Sequence, residues 1–163
     1  MIAHSAYPAY PAAASATAGW LGMVPARRRR KTPLVLVVED DRMIAEMYRF
    51  QLTHEGYEVH VAGDGRQGLE AIRTEKPDLV LLDLRMPVME GFEVLEQLQS
   101  GAADVRSIPV VILSNYGDPT MVKRGLELGA RDYLIKSATD PITLAARVKD
   151  FLNQPPPKPP THL

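Results

Sequence analysis

Short apolar runs alternate with longer amphipathic stretches through the middle of the chain. Each apolar run has the length of a strand and is bounded by turn-forming or charged residues. These runs are residues 34–38, 57–62, 79–82, 110–113 and 133–135. The stretches between and after them have helical spacing, as in Ile44, Tyr48 and Leu52. They predict helices over residues 42–54, 66–74, 91–99, 120–128 and 142–152.

The alternation of strand and helix indicates the fold class. Five strand–helix pairs with short connections are typical of a parallel sheet covered by helices on both faces. Right-handed crossovers then favour a doubly wound (βα)5 sheet, an α/β fold. Helix boundaries agree with this, because Asp118 and Asp140 are capping acids that each precede a proline. We expect one folded domain over residues 33–153.

Both ends of the chain differ from this pattern. Residues 1–32 are rich in Ala and Pro and finish in a basic run, and residues 154–163 are rich in Pro. Neither end has strand or helix periodicity, so we expect both to be disordered. The chain has no cysteine, which excludes disulfides, thiolate zinc sites and cysteine nucleophiles.

Charge and hydropathy restrict the partners and the location. The formal net charge of -1 provides no bulk field for nucleic acid or for a membrane surface. No apolar run approaches the roughly 20 residues that a membrane-spanning helix needs. We therefore expect a cytoplasmic protein with no membrane insertion and no direct contact with nucleic acid.

Reactive side chains follow four of the five predicted strands. Glu39 and Asp40 follow the first strand, Asp83 the third, Ser114 the fourth and Lys136 the fifth. In doubly wound sheets, ligands bind outside the carboxyl ends of the strands. Carboxylates brought together there repel one another and call for a cation or for raised pKa values. Oxygen ligands without histidine or thiolate predict Mg²⁺.

The same residue types fit transfer of a phosphoryl group. A carboxylate can attack phosphorus and form an acyl phosphate, and Asp83, at the end of a buried strand, is the best candidate. Lys136 would supply positive charge and Ser114 a hydrogen bond to the phosphoryl oxygens.

Four segments of the chain form a recognisable set: residues 37–41 (VVEDD), 81–87 (LLDLRMP), 108–114 (IPVVILS) and 129–136 (GARDYLIK). Together they resemble the receiver domain of response regulators from two-component phosphorelay systems. The resemblance covers residues 33–153 and implies a flavodoxin-like sheet with the strand order 2-1-3-4-5. That order comes from the resemblance, since the chemotaxis receiver is a standard example of it.

The resemblance also implies a role for each matching residue. Asp83 is the implied phosphoacceptor. Asp40 is the implied direct metal ligand, with Glu39 acting mostly through water and the backbone carbonyl of Arg85 completing the set with Asp83. Lys136 faces the phosphoryl group in such domains. The implied switch residues are Ser114 and Tyr133.

A stand-alone response regulator is the resulting functional expectation. It would take a phosphoryl group from a histidine kinase or a histidine phosphotransfer protein and signal by contact with an unknown downstream protein. It would catalyse only its own phosphorylation and dephosphorylation. The fourth predicted helix, the fifth strand and the fifth helix form a candidate surface for a homodimer, for docking of the kinase, or for both.

Two departures from the family pattern and one pair of large residues bear on the site. Ser137 follows Lys136 where the family usually has a proline, so we expect the lysine to be held less firmly. Asn115 replaces a small residue beside Ser114. Large residues at Arg85 and Tyr116 flank the route of an attacking water and predict slow self-dephosphorylation.

Three other interpretations compete with this one. Residues 63–68 (GDGRQG) form a G-x-G-x-x-G motif, with an acid about 20 residues on, as in dinucleotide-binding domains. Against it, the motif follows the second strand and leaves the acidic cluster without a role. A phosphatase with a D-x-D nucleophile is not supported by residues 39–41. A receiver-fold scaffold that works without phosphorylation would be recognised by loss of metal binding.

Overall fold

Strands and helices alternate along the part of the chain that the computed structural model describes, residues 30–155. The elements are β1 (Leu34–Val38), α1 (Arg42–His54), β2 (Glu58–Ala62), α2 (Gly65–Glu75), β3 (Leu79–Leu82), α3 (Gly91–Gln99), α4 (Ala103–Arg106), β4 (Val110–Ser114), α5 (Pro119–Glu127), β5 (Asp132–Ile135), a 3-10 turn (Lys136–Ala138) and α6 (Pro141–Asn153). The two ends that were predicted to be disordered lie outside the described residues, apart from positions 30–32 and 154–155.

The five strands form one parallel sheet in the order β2-β1-β3-β4-β5. This confirms the doubly wound, flavodoxin-like fold and the strand order that the resemblance implied. Val38 of β1 is level with Leu82 of β3, and Leu82 is level with Ile112 of β4. Because β1 and β3 finish at the same height, the residues that follow them emerge side by side.

Alternate strand residues face two separate cores, as the period of two in a strand requires. Val35 and Val37 face the layer formed by α1 and α6. Leu36 and Val38 face the layer that contains α2, α3, α4 and α5. All four side chains are at most 2% exposed, so β1 lies between the two layers. Burial on both faces explains why the strand is a continuous apolar run in the sequence.

Helix caps fix where the chain leaves the sheet and enters the next layer. The carboxylate of Asp118 accepts hydrogen bonds from the backbone N–H groups of Thr120 and Met121, and that of Asp140 from Thr143. Proline occupies the first helical position after each of these acids. These two predicted caps are confirmed, and they set the start of α5 and α6 one residue earlier than predicted.

Two short elements were not predicted from the sequence. Helix α4 has only four residues and is held by Val105, which is 7% exposed, so it leaves no helical repeat to detect. The 3-10 turn after β5 has three residues, which is too few for any period. Within residues 30–155, none of the helices has the length and apolar character needed to cross a bilayer.

Candidate functional site

Three carboxylates meet where β1 and β3 end. Glu39, Asp40 and Asp83 each offer an oxygen atom, and these atoms lie within 4.8 Å of one another. Glu39 and Asp83 are buried, at 4% and 8% exposure, whereas Asp40 is exposed. The sequence predicted this gathering from the strand ends, and the aligned register of the two strands explains it.

Backbone hydrogen bonds hold the two buried acids in position. The Glu39 N–H donates to the carbonyl of Ala62 at 3.0 Å, and the Asp83 N–H donates to the carbonyl of Val38 at 3.0 Å. The ladder of the sheet therefore continues one residue past each strand. Asp83 Oδ1 also accepts a hydrogen bond from the Leu84 N–H at 2.8 Å. These hydrogen bonds fix the orientation of the Asp83 carboxylate.

The Lys136 ammonium lies between the two buried carboxylates. It donates a hydrogen bond to Glu39 Oε2, and it is 3.3 Å from Asp83 Oδ2. Its side chain is only 8% exposed. The lysine is therefore enclosed and paired twice, although Ser137 follows it where the family usually has a proline. One ammonium among three carboxylates leaves two formal negative charges in excess.

Burial and charge act in opposite directions on these groups. Burial raises the pKa of Glu39 and of Asp83, and the Lys136 ammonium opposes that rise. Burial lowers the pKa of Lys136, but the two carboxylates outweigh it and the net pKa is raised. The cluster thus contains carboxylates that are costly to keep charged without further positive charge.

The donor set fits a hard divalent cation. Every candidate ligand is an oxygen, and the excess of two negative charges matches the charge of Mg²⁺. Asp41, the third acid after β1, does not belong to the set, because its side chain caps α1 by accepting hydrogen bonds from the N–H groups of Met43 and Ile44. Residue type alone could not separate Asp40 from Asp41.

Ser114 and Tyr133 are joined through the backbone of Tyr116. Ser114, which is 1% exposed, accepts a hydrogen bond at its Oγ from the Tyr116 N–H at 3.1 Å. The Tyr133 hydroxyl donates to the Tyr116 carbonyl. Burial raises the pKa of Tyr133, so its hydroxyl stays protonated as a donor. The family resemblance points to Ser114 and Tyr133 as switch residues, whereas the part played by the Tyr116 backbone was not predicted, because residue type does not reveal it.

A family model, the response regulator receiver domain, matches residues 35–149. The chain belongs to the response regulator receiver family. The match contains five of the side chains at the carboxyl edge of the sheet: Glu39, Asp40, Asp83, Ser114 and Lys136.

Curated relatives of this receiver domain are longer proteins. The chain is 42% identical over 120 residues to the DNA-binding response regulator MtrA of Mycolicibacterium paratuberculosis, covering 74% of this chain and 51% of MtrA. It is 37% identical over 120 residues to the alkaline phosphatase synthesis transcriptional regulatory protein PhoP of Bacillus subtilis, covering 74% of this chain and 48% of PhoP. The chain thus spans about half the length of these relatives.

Solved structures of receiver domains share the fold. The chemotaxis response regulator CheY4 of Vibrio cholerae superposes with a TM-score of 0.68 at 30% identity, covering 74% of this chain and 98% of that one. The BeF3-activated N-terminal receiver domain of Klebsiella pneumoniae RstA gives a TM-score of 0.66 at 32% identity, covering 74% and 99%. Both are similar over the described domain of this chain.

Two large side chains of this receiver domain stand together at the surface beside the carboxylates. The Arg85 guanidinium lies over the ring of Tyr116, 4.6 Å from its centroid. Both residues are exposed, as is Asn115. The pair links the loop after β3 to the loop after β4. This contact could not be predicted from the sequence, because the two residues lie far apart along the chain.

The glycines of the GDGRQG motif have a packing role in this receiver domain. A Cβ on Gly65 would lie 2.1 Å from the carbonyl oxygen of Met89, and one on Gly68 would lie 2.7 Å from a methyl of Val38. Asp64 caps α2 by accepting a hydrogen bond from the Gln67 N–H at 2.8 Å. Close packing and capping therefore account for the motif without a dinucleotide.

Proposed function

We propose that this receiver domain accepts a phosphoryl group on Asp83 and thereby acts as the phosphoacceptor of a two-component system. The observation that carries the proposal is the cluster of Glu39, Asp40 and Asp83 within 4.8 Å, with the Lys136 ammonium inserted between two of them. A nucleophilic carboxylate and a phosphate-binding cation thus share one buried edge.

Transfer begins with a carboxylate oxygen of Asp83 attacking the phosphorus of the donor. The O–P bond to Asp83 forms as the N–P bond of a phosphohistidine breaks, and the donor imidazole leaves with its electron pair. Lys136 Nζ is 3.3 Å from Asp83 Oδ2, so its ammonium is within reach of phosphoryl oxygens attached to Asp83. Positioning and charge stabilisation of this kind are the main requirements for phosphoryl transfer.

A divalent cation would be held by Glu39, Asp40, Asp83 and the backbone carbonyl of Arg85. When bound, Mg²⁺ supplies the positive charge that neutralises the phosphoryl oxygens. The cluster itself supports this, because its oxygen-only donors carry two formal negative charges beyond what Lys136 balances.

Ser114 and Tyr133 are proposed as the switch. Ser114 Oγ accepts a hydrogen bond from the Tyr116 N–H, and its hydroxyl can also donate to a phosphoryl oxygen. A movement of Ser114 toward that oxygen would pull the Tyr116 backbone with it, and the Tyr133 hydroxyl is hydrogen-bonded to the carbonyl of Tyr116. The loop after β4 and the face of α5 and β5 would shift together.

The proposed partners follow from the phosphoryl chemistry. A histidine kinase or histidine phosphotransfer protein would donate the phosphoryl group, and output would pass by contact to another protein.

The face formed by α5, β5 and α6 is the candidate surface for a homodimer. It carries exposed Leu126 and the ion pair between Arg147 and Asp132. Light scattering before and after phosphorylation, with Leu126→Asp as the variant, tests that surface.

The central experiment is the intact mass after incubation with acetyl phosphate, with and without Mg²⁺. The wild type is expected to gain one phosphoryl group only with Mg²⁺, and Asp83→Asn to gain none. Asp41→Asn is the matched control, since Asp41 lies at the same edge but caps α1, and asparagine also caps helices. That variant is expected to keep the adduct.

Other outcomes contradict specific parts of the proposal. A folded wild type that binds Mg²⁺ and gains no adduct would indicate a scaffold that works without phosphorylation. A wild type that binds no Mg²⁺ would refute the assignment of the acidic cluster. An adduct that persists in Asp83→Asn would move the acceptor to another residue.

A further inference from the structure

Helix α5 packs on the sheet with little interlocking of side chains. Gly125 is the one fully buried residue of the helix. A Cβ at this position would lie 2.5 Å from Ile112 Cδ1 and 3.3 Å from Tyr133 Cδ2. The larger side chains of Met121 and Val122 are only partly buried. The backbone of α5 therefore lies directly on the Tyr133 ring, and few side chains on that side fix its position.

The neighbour of this glycine, Arg124, attaches α5 to α3. Its guanidinium donates a hydrogen bond to Glu96 Oε1 at 3.1 Å and lies over the ring of Phe92, 4.5 Å from the centroid. Both partners belong to α3, about one turn apart. Gln99 of α3 also donates from its Nε2 to the carbonyl of Leu128, at the end of α5, at 2.8 Å. The C-terminal half of α5 is thus attached to α3 by side chains.

The other end of α5 is connected to the proposed switch. Asp118 caps the first turn of the helix and follows the loop that starts at Ser114. In this loop the Tyr116 N–H donates to Ser114 Oγ, and the Tyr116 carbonyl accepts a hydrogen bond from the Tyr133 hydroxyl. A movement of the loop therefore displaces the first turn of α5, while the contacts of Arg124 with α3 oppose the displacement.

We propose that Arg124 holds α5 on α3 in the unphosphorylated domain and that its contacts with Glu96 and Phe92 break when the switch moves. This inference rests on the proposed phosphorylation of Asp83, and it gives a regulatory role to a residue outside that site. Because both partners lie on α3 and not on the loop after β4, a shift of α5 separates Arg124 from both together. The contacts of Arg124 therefore favour the unphosphorylated state, and their strength sets how readily the domain switches.

The strength of these contacts suits a reversible attachment. The side chains of Arg124 and Glu96 are 55% and 50% exposed, so water screens the ion pair. A surface ion pair and an exposed cation–π contact together change an equilibrium constant by roughly fivefold. Loss of both contacts is therefore expected to favour the switched state about fivefold and to leave the domain folded.

Urea unfolding of the full chain, with and without saturating Mg²⁺ and beryllofluoride, tests this role. Beryllofluoride is an analogue of the acyl phosphate. Arg124→Gln and Glu96→Lys are each expected to raise the unfolding equilibrium constant of the free protein about fivefold and to leave that of the beryllofluoride-bound protein unchanged. By linkage, each variant then binds beryllofluoride more tightly by the same factor. Lys123→Gln is the matched control, because the ion pair of Lys123 with Glu127 lies within α5 and is kept when the helix moves.

The control is expected to change the free and the bound protein equally. Equal losses of stability in both forms of Arg124→Gln and Glu96→Lys would mean that Arg124 holds α5 in both states, and would overturn the proposal. Losses in the free protein no larger than that of the control would overturn it as well. A wild type that Mg²⁺ and beryllofluoride do not stabilise would refute the proposed function, and this inference with it. A stabilised wild type whose variants do not distinguish the two forms would refute the role of Arg124 alone.

Discussion

Replacing Lys136 by methionine is the sharpest perturbation of the carboxylate cluster. The substitution keeps the length of the side chain and removes the ammonium between Glu39 and Asp83. All three side chains are at most 9% exposed, so little water can take over the lost contacts. Breaking a buried ion pair by removing one partner costs about 3–5 kcal/mol. We expect a loss of about 3 kcal/mol at pH 8, the lower end of that range, because a carboxylate left alone can take up a proton.

The loss of stability depends on pH in a defined direction. Burial raises the pKa of Glu39 and Asp83 above the unfolded values, so the folded state binds protons more readily than the unfolded state. Stability from these groups therefore increases as pH falls through the raised pKa values. Without the Lys136 ammonium both pKa values rise further. The raised pKa of Lys136 itself keeps the wild-type lysine charged throughout the range from about pH 5 to about pH 8.

Urea unfolding of wild type and Lys136→Met at pH 8 and pH 5 measures this effect. The difference in unfolding free energy is expected to be larger at pH 8 than at pH 5, because the raised pKa values favour proton uptake by the unpaired carboxylates as pH falls. Lys123→Met is the matched control, since Lys123 is 77% exposed and lies 3.7 Å from Glu127. Such surface pairs contribute at most about 1 kcal/mol. Equal losses at both pH values, or a loss no larger than that of the control, would refute the electrostatic reasoning.

Three further predictions concern the surroundings of the cluster. Tyr116→Ala and Arg85→Ala are each expected to speed decay of the acyl phosphate about two- to fivefold, the rate equivalent of an exposed cation–π contact of about 0.5–1 kcal/mol; an unchanged decay rate would show that the pair does not shield the acyl phosphate. Val88 has a φ of 70° and is 69% exposed, so Val88→Asn should relieve strain and raise stability by about 1 kcal/mol in urea unfolding, and a loss would contradict this. Gly65→Ala should cost about 1–3 kcal/mol through its contact with Met89, whereas Gly63→Ala, with 3.7 Å to its nearest neighbour, should cost less, and equal costs would exclude the packing explanation.

The order of the elements was predictable because the apolar pattern is strong and regular. Strands such as β1 and β3 are buried on both faces, so every residue in them is apolar. Acids before prolines marked the starts of α5 and α6. Helix α4 was not predictable, because four residues with one buried side chain leave no period. The strand order needed the family resemblance, since crossover rules alone allow more than one doubly wound arrangement.

The residues of the candidate site were predictable for a related reason. Parallel strands end at one edge, so side chains that follow them converge whatever the loops do. The hydrogen-bonded link from Ser114 to Tyr133 was harder to predict from the sequence, because it passes through backbone atoms of Tyr116. Any residue other than proline has those atoms, and no pattern of side chains can point to them.

The contacts of Lys136 could not be predicted from the order of the strands. In the strand order β2-β1-β3-β4-β5, the lysine after β5 is three strands from Glu39, or about 14 Å at the usual spacing. The nearest reactive neighbour by strand order is Ser114, yet the ammonium bonds Glu39 and approaches Asp83. The 3-10 turn at Lys136–Ala138 starts with this lysine. Its ammonium therefore lies between the ends of β1 and β3, so a single cation serves two carboxylates that follow different strands.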